Sequence, residues 1–199
     1  MVKQISDYIG INLAKQLAYE QPQAEVLSYG MQIVIETTLE VAVLLFIAAL
    51  LDIVVPTLIV FLVYAGIRTI GGGAHLSTFP RCLTVGCIMI IGFSALSTIP
   101  LSAAVNIILI LAVVALGTVC IILWVPAGTE KKSITEVKIR KEQKKKLILV
   151  YLGWLLGILY LHIYGYQIYE QAAIYGSLVA FLIITPGGYE FFKALDNTL

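Results

Sequence analysis

One short segment of the sequence concentrates the residue types that can carry out covalent chemistry. Arg68 is followed by three glycines at positions 71–73, and then by His75, Pro80 and Cys82. A thiolate is a strong nucleophile, and a neighbouring imidazole can take the thiol proton and later give it to a leaving amine. The segment at 68–82 therefore predicts a catalytic pair made of His75 and Cys82.

The spacing of His75 and Cys82 requires a bend in the chain between them. On an unbroken helix two residues seven apart share a face but are separated by about 10 Å of rise, which is too far for a thiol–imidazole hydrogen bond. Pro80 removes a helical donor and disfavours helix at Phe79. We therefore expect the helix to break there, so that His75 can fold back over Cys82.

The three cysteines are expected to differ in reactivity. Cys82 is predicted at the start of a helix, where the dipole and the unpaired N–H groups favour the thiolate, and Arg81 adds positive charge beside it. Cys87 and Cys120 lie inside apolar runs, where a thiolate is costly, and we interpret both as structural. An odd cysteine count without a CxxC pair argues against a disulfide framework. No HExxH or other cluster of metal ligands occurs, so we expect no metal and no cofactor.

The composition indicates which solvent the protein folds in. Of 199 residues, 60% are hydrophobic and only 13% are charged. A soluble domain of this length could not bury so much apolar surface, so we predict an integral membrane protein. The formal net charge of +1 argues against a nucleic-acid-binding protein.

Apolar runs of spanning length predict an all-α integral membrane protein with about six transmembrane helices. The second run is short, and we expect it to extend past Pro56, to tilt or to thin the bilayer locally. We treat residues 1–199 as a single membrane domain. The predicted spans are Ile33–Leu51, Thr57–Ile70, Leu83–Ile99, Leu101–Val125, Leu147–Ile163 and Ile168–Ile184.

The basic residues predict the orientation in the bilayer. Eight of the 13 lysines and arginines lie between Lys131 and Lys146, and with both termini cytoplasmic no basic residue is left for an outer turn. Residues 126–146 are then a basic cytoplasmic loop. Residues 1–30 are predicted to contain an amphipathic helix on the membrane surface, and a cytosolic helix packed on the rest of the protein is the equally weighted alternative. The apolar residues of this N-terminal helix recur at helical spacing: Ile5, Tyr8, Ile9, Leu13 and Leu17.

The motif R-x-x-x-G-G-x-H, followed by Cys seven residues after the His, resembles that of the AgrB family of bacterial membrane cysteine endopeptidases. The matching positions are Arg68, Gly72, Gly73, His75 and Cys82. Two flanking stretches, Tyr29–Gly30 and Val125–Lys132, also resemble the family. The similarity extends over essentially the whole chain, and the His/Cys motif is its most specific part.

The resemblance implies a reaction that matures a peptide signal for quorum sensing. Such proteins cut an AgrD-type propeptide before its acidic C-terminal tail. Cys82 would attack the scissile carbonyl and hold the upstream part as a thioester, until a Cys or Ser of the peptide displaces it and closes a thiolactone or lactone. The resemblance also implies a homodimer in the bacterial cell membrane, with the active site at the cytoplasmic edge.

The residues that support the pair are open at this point. No carboxylate occurs between Asp52 and Glu130, so none nearby can orient His75 as the Asp of a triad would. Glu36, Glu40, Ser77 or a backbone carbonyl could serve. Arg68 is expected to form an ion pair with Glu36 or Glu40, or else to bind a carboxylate of the peptide. Gly72 and Gly73 supply backbone freedom near the substrate.

Lys131 and Lys132 have two possible roles. The basic loop can set the topology and contact anionic headgroups, which alone would explain its composition. Because the resemblance implies a propeptide with an acidic tail, these two lysines are also candidates for capturing that tail. We expect both roles.

Two functions of other classes compete with the enzyme. In a small transporter the segment 71–80 would be a re-entrant substrate loop, and a strongly polar residue would be expected in mid-bilayer. In a non-catalytic scaffold that assembles membrane partners, Cys82 would be incidental. Neither accounts for glycines, His75 and Cys82 at one membrane edge.

Overall fold

The chain is helical in a computed structural model that describes residues 2–127 and 137–198. Within these ranges no strand occurs, and one isolated bridge joins Gly72 to Ala127. The prediction of an all-α protein is confirmed. The described residues form eight helices: α1 Val2–Gln16, α2 Gln21–Leu50, α3 Val54–Gly71, α4 Phe79–Ser97, α5 Ala103–Leu123, α6 Val137–Ile163, α7 Gln167–Leu182 and α8 Pro186–Thr198.

Five of the described helices, α2 to α6, are long and apolar enough to cross a bilayer. A sixth crossing is counted if α7 is taken together with α8, which turns away from it by 80°. The prediction of about six spans is confirmed. The short second span does extend past Pro56, because α3 begins at Val54 and places the proline in its first turn, where a missing N–H breaks no helical bond.

The chain divides into two compact units, Met1–Phe46 and Ile47–Leu199. In the first unit, α1 packs on α2 through its small residues Ser6, Gly10 and Ala14, and a Cβ added to Gly10 would overlap Ser28. The apolar residues predicted for α1 are exposed. An amphipathic helix with an outward apolar face is what a membrane-surface segment requires.

In the second unit α7 is the central helix, with ten of its 16 residues buried. A Cβ on Gly176 would lie against the Val60 backbone, so the glycine allows α3 and α7 to approach closely. Phe181, fully buried, lies against Gly117 of α5 and stacks edge-on with Tyr151 of α6. These contacts hold the C-terminal end of α7 in place, and the candidate site lies beside that end.

The other end of α7 carries a buried carboxylate that pairs with an exposed histidine of α6. Glu170 is 2% exposed, and its carboxylate lies 2.9 Å from Nδ1 of His162. His162 therefore has a partner of its own, at the opposite end of the unit from His75.

Candidate active site

The predicted break between His75 and Cys82 lies where the sequence indicates it. Thr78 is the extended N-cap of α4, with φ −129° and ψ 147°, and Pro80 stands in the first turn. The Cys82 N–H donates to the Thr78 carbonyl over 3.0 Å, which is the first bond of the helix. Cys82 is thus in the first turn of α4, where the dipole favours an anion, and Thr78 contributes no side-chain cap.

A glycine turn reverses the chain between α3 and His75. Gly72 and Gly73 have φ of 81° and 137°, in the region that favours glycine. A Cβ on Gly72 would overlap the carbonyl oxygen of Ala127. The turn is held from two sides, by Ala127 N–H donating to Gly71 O over 2.8 Å and Ala74 N–H donating to Ile183 O over 3.0 Å. The end of α7 and the chain after α5 therefore fix the position of the backbone that leads into His75.

Arg68, in the last turn of α3, reaches across this turn to His75. Its guanidinium donates to the Tyr64 hydroxyl, to the Ala74 carbonyl over 3.0 Å and to His75 Nδ1 over 2.8 Å. The guanidinium carbon also lies 5.4 Å from the centre of the Tyr64 ring. Arg68 Nε is buried and has no hydrogen-bond partner among the described residues. The predicted ion pair of Arg68 with Glu36 or Glu40 would join the two units and stays a prediction.

The contact with Arg68 determines the state of the His75 ring. A guanidinium only donates, so Nδ1 accepts, and the neutral ring carries its proton on Nε2. The pKa of His75 is lowered from the ordinary 6.5 to about 4. The larger cause is the loss of water around the partly exposed ring, and the second is the positive charge of Arg68. The ring is therefore neutral at pH 7, with its lone pair engaged by Arg68.

Sequence analysis did not identify Asp196, whose carboxylate binds residues on both sides of the break between His75 and Cys82. Asp196 of α8 accepts from the Ser77 N–H at 3.2 Å and from the Ser77 hydroxyl at 2.9 Å. Arg81 donates to the same carboxylate over 3.0 Å and to the Asp196 backbone carbonyl over 2.9 Å. The ion pair offsets part of the positive field that the sequence assigned to Arg81.

No solved structure matches the chain. A family model does match it: residues 2–185 match accessory gene regulator B, AgrB. The chain belongs to the AgrB family. Two relatives from Clostridium perfringens, AgrB-like protein 2 of strain 13 and an AgrB-like protein of strain SM101, are each 24% identical over 159 residues, covering 76% of this chain and 74% of theirs.

Membership of the AgrB family supports a role in processing a quorum-sensing peptide at the membrane. The motif residues that the family resemblance singled out lie between the last turn of α3 and the first turn of α4: Arg68, Gly72, Gly73, His75 and Cys82. Arg68 contacts His75 across the glycine turn. Ser77 joins them through Asp196. Lys131 and Lys132 lie outside the described residues.

The other two cysteines of this AgrB-family chain are buried, as expected for structural residues, while Cys82 is half-buried. The Cys120 thiol donates to the Phe181 carbonyl over 3.5 Å. Among the described residues the Cys82 thiol makes no side-chain hydrogen bond, so it and His75 are not paired in the structure. Catalytic hydrogen bonds are often long without substrate and tighten when it binds.

Proposed function

We propose that this AgrB-family chain is a membrane-embedded cysteine endopeptidase that cleaves an AgrD-type propeptide before its acidic C-terminal tail and cyclises it. The observation that carries the proposal is the glycine turn, which brings His75 and the first turn of α4, with Cys82, to one end of the helical unit. A half-buried thiol at a helix start is the usual setting of a reactive cysteine.

Cleavage and cyclisation are two exchanges at one acyl carbon. The Cys82 thiolate attacks the scissile carbonyl, a carbon–sulfur bond forms, and the carbon–nitrogen bond breaks as the leaving amine takes a proton from His75. A Cys or Ser side chain within the upstream peptide then attacks this thioester, loses its proton to His75 and releases the Cys82 thiolate. Thioester-to-thioester exchange is nearly neutral in energy, whereas water would destroy the acyl group, so a membrane edge that excludes water suits the reaction.

The base role of His75 sets a condition on Arg68. While the guanidinium donates to Nδ1, the ring has no free lone pair for the thiol proton. The contact must open when the peptide binds. Carboxylates of the propeptide compete for a guanidinium, since Arg–carboxylate pairs are strong and bidentate, and the buried Nε of Arg68 offers an additional unfilled donor.

We place the active site at the cytoplasmic edge. Arg68 and Arg81 flank the site on the chain, and the basic stretch 131–146 lies two spans further on, which is the cytoplasmic side by the positive-inside rule. The propeptide then meets the site before any crossing of the bilayer.

The test is co-expression of the protein with genes for AgrD-type propeptides, followed by mass measurement of the product. The wild type should give a product shortened by its tail and lighter by one water than the linear fragment. Cys82→Ala should give none while still inserting into the membrane. Cys87→Ala and Cys120→Ala are the matched controls and should retain activity. A Cys82→Ala variant that still yields cyclic product would end the proposal.

His75 is tested in the same assay. His75→Ala should lower the rate by roughly a hundredfold or more, because both proton transfers are lost. His75→Gln keeps a hydrogen-bonding side chain but cannot exchange protons, so it should not recover activity. Near-native turnover by the glutamine variant would mean that His75 is structural.

A further inference from the structure

We propose that Asp196 is the positioning residue of the cysteine–histidine pair, an inference that rests on the proposed peptidase function. Asp196 holds both sides of the corner between His75 and Cys82. Ser77, two residues after His75, donates to it twice, and Arg81, directly before Cys82, donates to its carboxylate and to its backbone carbonyl. Asp196 therefore links the chain beside His75 to the chain beside Cys82 and ties both to α8.

The corner has few bonds of its own. Thr78 makes no side-chain cap, Pro80 has no N–H, and the first helical bond is the one from Cys82 to Thr78. The nearest upstream backbone anchor is the bond from Ala74 to Ile183. Between these two bonds, Arg81 donates to the Ser77 hydroxyl over 3.3 Å, and Asp196 adds the shorter hydrogen bonds that bind both residues to α8.

The position of Asp196 is set by how α8 is folded. Pro186 begins α8 after an 80° turn from α7, and a Cβ on Gly188 would overlap the Leu182 carbonyl, so only glycine allows this turn. Phe192, 8% exposed, anchors the helix one turn before Asp196. The C-terminal helix is thereby fixed against the turn that carries the catalytic pair.

The exposure of the ion pair indicates which property Asp196 controls. The Arg81 and Asp196 side chains are 33% and 23% exposed, and partly exposed pairs contribute little to folding stability. Displacing a catalytic group by about 1 Å, in contrast, can lower a rate about a hundredfold. Loss of Asp196 should therefore appear in kcat and leave both the unfolding temperature and KM nearly unchanged.

The experiment compares Asp196→Ala, Asp196→Asn and Glu190→Gln in the full-length protein in detergent or vesicles. Glu190 is an exposed carboxylate on the same helix and is the matched control. Asp196→Ala should lower kcat for propeptide cleavage about ten- to a hundredfold with KM within about twofold. Asp196→Asn, which keeps an acceptor for Ser77, should recover part of kcat, and Glu190→Gln should behave as wild type.

A double-mutant comparison tests the route through Ser77. If Asp196 acts by holding Ser77, then Ser77→Ala combined with Asp196→Ala should be little worse than Asp196→Ala alone. Should Asp196→Ala fail to fold, Asp196→Asn and Ser77→Ala carry the same test, because Asn keeps an oxygen acceptor and Ala keeps the Ser77 N–H that donates to Asp196. Additive losses from the two single changes would contradict this coupling.

The result also separates this inference from the proposed function. The rate at which a neutral thiol reagent alkylates Cys82 needs no peptide, and it should differ between Asp196→Ala and wild type if the first turn of α4 has moved. An active Asp196→Ala variant beside an inactive Cys82→Ala variant would refute the positioning role and leave the peptidase standing. Activity in Cys82→Ala would refute the peptidase itself.

Discussion

The Arg68 guanidinium donates to Nδ1 of His75 over 2.8 Å, across a glycine turn that separates the two residues. This contact explains why the arginine stands seven residues before the histidine. Arg68 occupies the last turn of α3, Gly72 and Gly73 reverse the chain, and His75 returns beside the arginine. Arg68 thus sets the tautomer of the ring and adds to the loss of water that keeps the ring neutral.

Replacing Arg68 should shift the pH dependence of the reaction. The pKa of His75 is lowered to about 4, so the neutral ring persists down to that pH, and kcat/KM of the wild type should fall only as the pH approaches 4. In Arg68→Gln the second cause of the lowered pKa is removed, whereas loss of water around the ring remains. The pH at which kcat/KM falls on the acid side should therefore rise, but not fully to 6.5, the ordinary pKa of a histidine.

The measurement is the rate of Cys82 alkylation by a neutral reagent between about pH 4 and pH 8. Without peptide, Arg68→Gln should be alkylated faster than wild type near neutral pH, because Nδ1 is free to take the thiol proton. Peptide processing by the same variant should nevertheless decrease, since the residue that meets the peptide carboxylate is lost. Equal alkylation in the two proteins would show that Arg68 does not restrain His75.

A charge exchange tests the predicted partnership of Arg68 with Glu36 or Glu40. Arg68→Glu should be destabilised, and Glu36→Arg or Glu40→Arg in the same chain should restore part of its unfolding temperature if the pair is structural. Activity should stay low in either case, because a carboxylate at position 68 cannot donate to Nδ1. If neither exchange restores stability, Arg68 has no structural partner there and the interpretation as a peptide-binding residue remains.

Local rules were sufficient for part of this site. The apolar runs predicted the spans, and Pro80 predicted a helix break between His75 and Cys82, since both depend on neighbouring residues only. The helix begins earlier than predicted, because α4 already includes Phe79 and holds Pro80 in its first turn. The link between Asp196 and Ser77 joins residues 119 apart and depends on how α8 packs. A signal was present in Pro186–Gly188, a helix break followed by an amphipathic stretch, but it does not indicate which surface α8 covers.

The contact between Arg68 and His75 could not be predicted for a different reason. The sequence shows that glycines permit a turn, but not its direction, which the bonds to Ala127 and Ile183 determine. The backbone torsions of Gly72 and Gly73, which follow from those bonds, bring the histidine to the arginine.

Gly72→Ala should abolish processing with the protein still present in the membrane. An added Cβ overlaps the Ala127 carbonyl, and a φ of 81° costs an alanine about 1 kcal/mol or more, so the turn must rearrange and His75 must move. Gly66→Ala, on the same helix, is the control, since a Cβ there meets nothing within 4 Å. Cyclic product from Gly72→Ala at the wild-type rate would mean that the position of His75 is not critical.

The last prediction concerns Lys131 and Lys132, which lie outside the described residues. If they capture the acidic tail of the propeptide, Lys131→Gln with Lys132→Gln should raise KM and weaken its dependence on salt, because fewer charges attract the tail. Six of the eight basic residues of the stretch remain, so topology should be unchanged. The matched control is Lys138→Gln with Lys141→Gln, two exposed lysines at the start of α6, which removes the same charge from the same stretch. Equal effects in the two double variants would show that the overall positive charge of the stretch attracts the tail, and that Lys131 and Lys132 have no specific part in binding it. Unchanged KM and salt dependence in Lys131→Gln with Lys132→Gln would leave these lysines with the topological role alone.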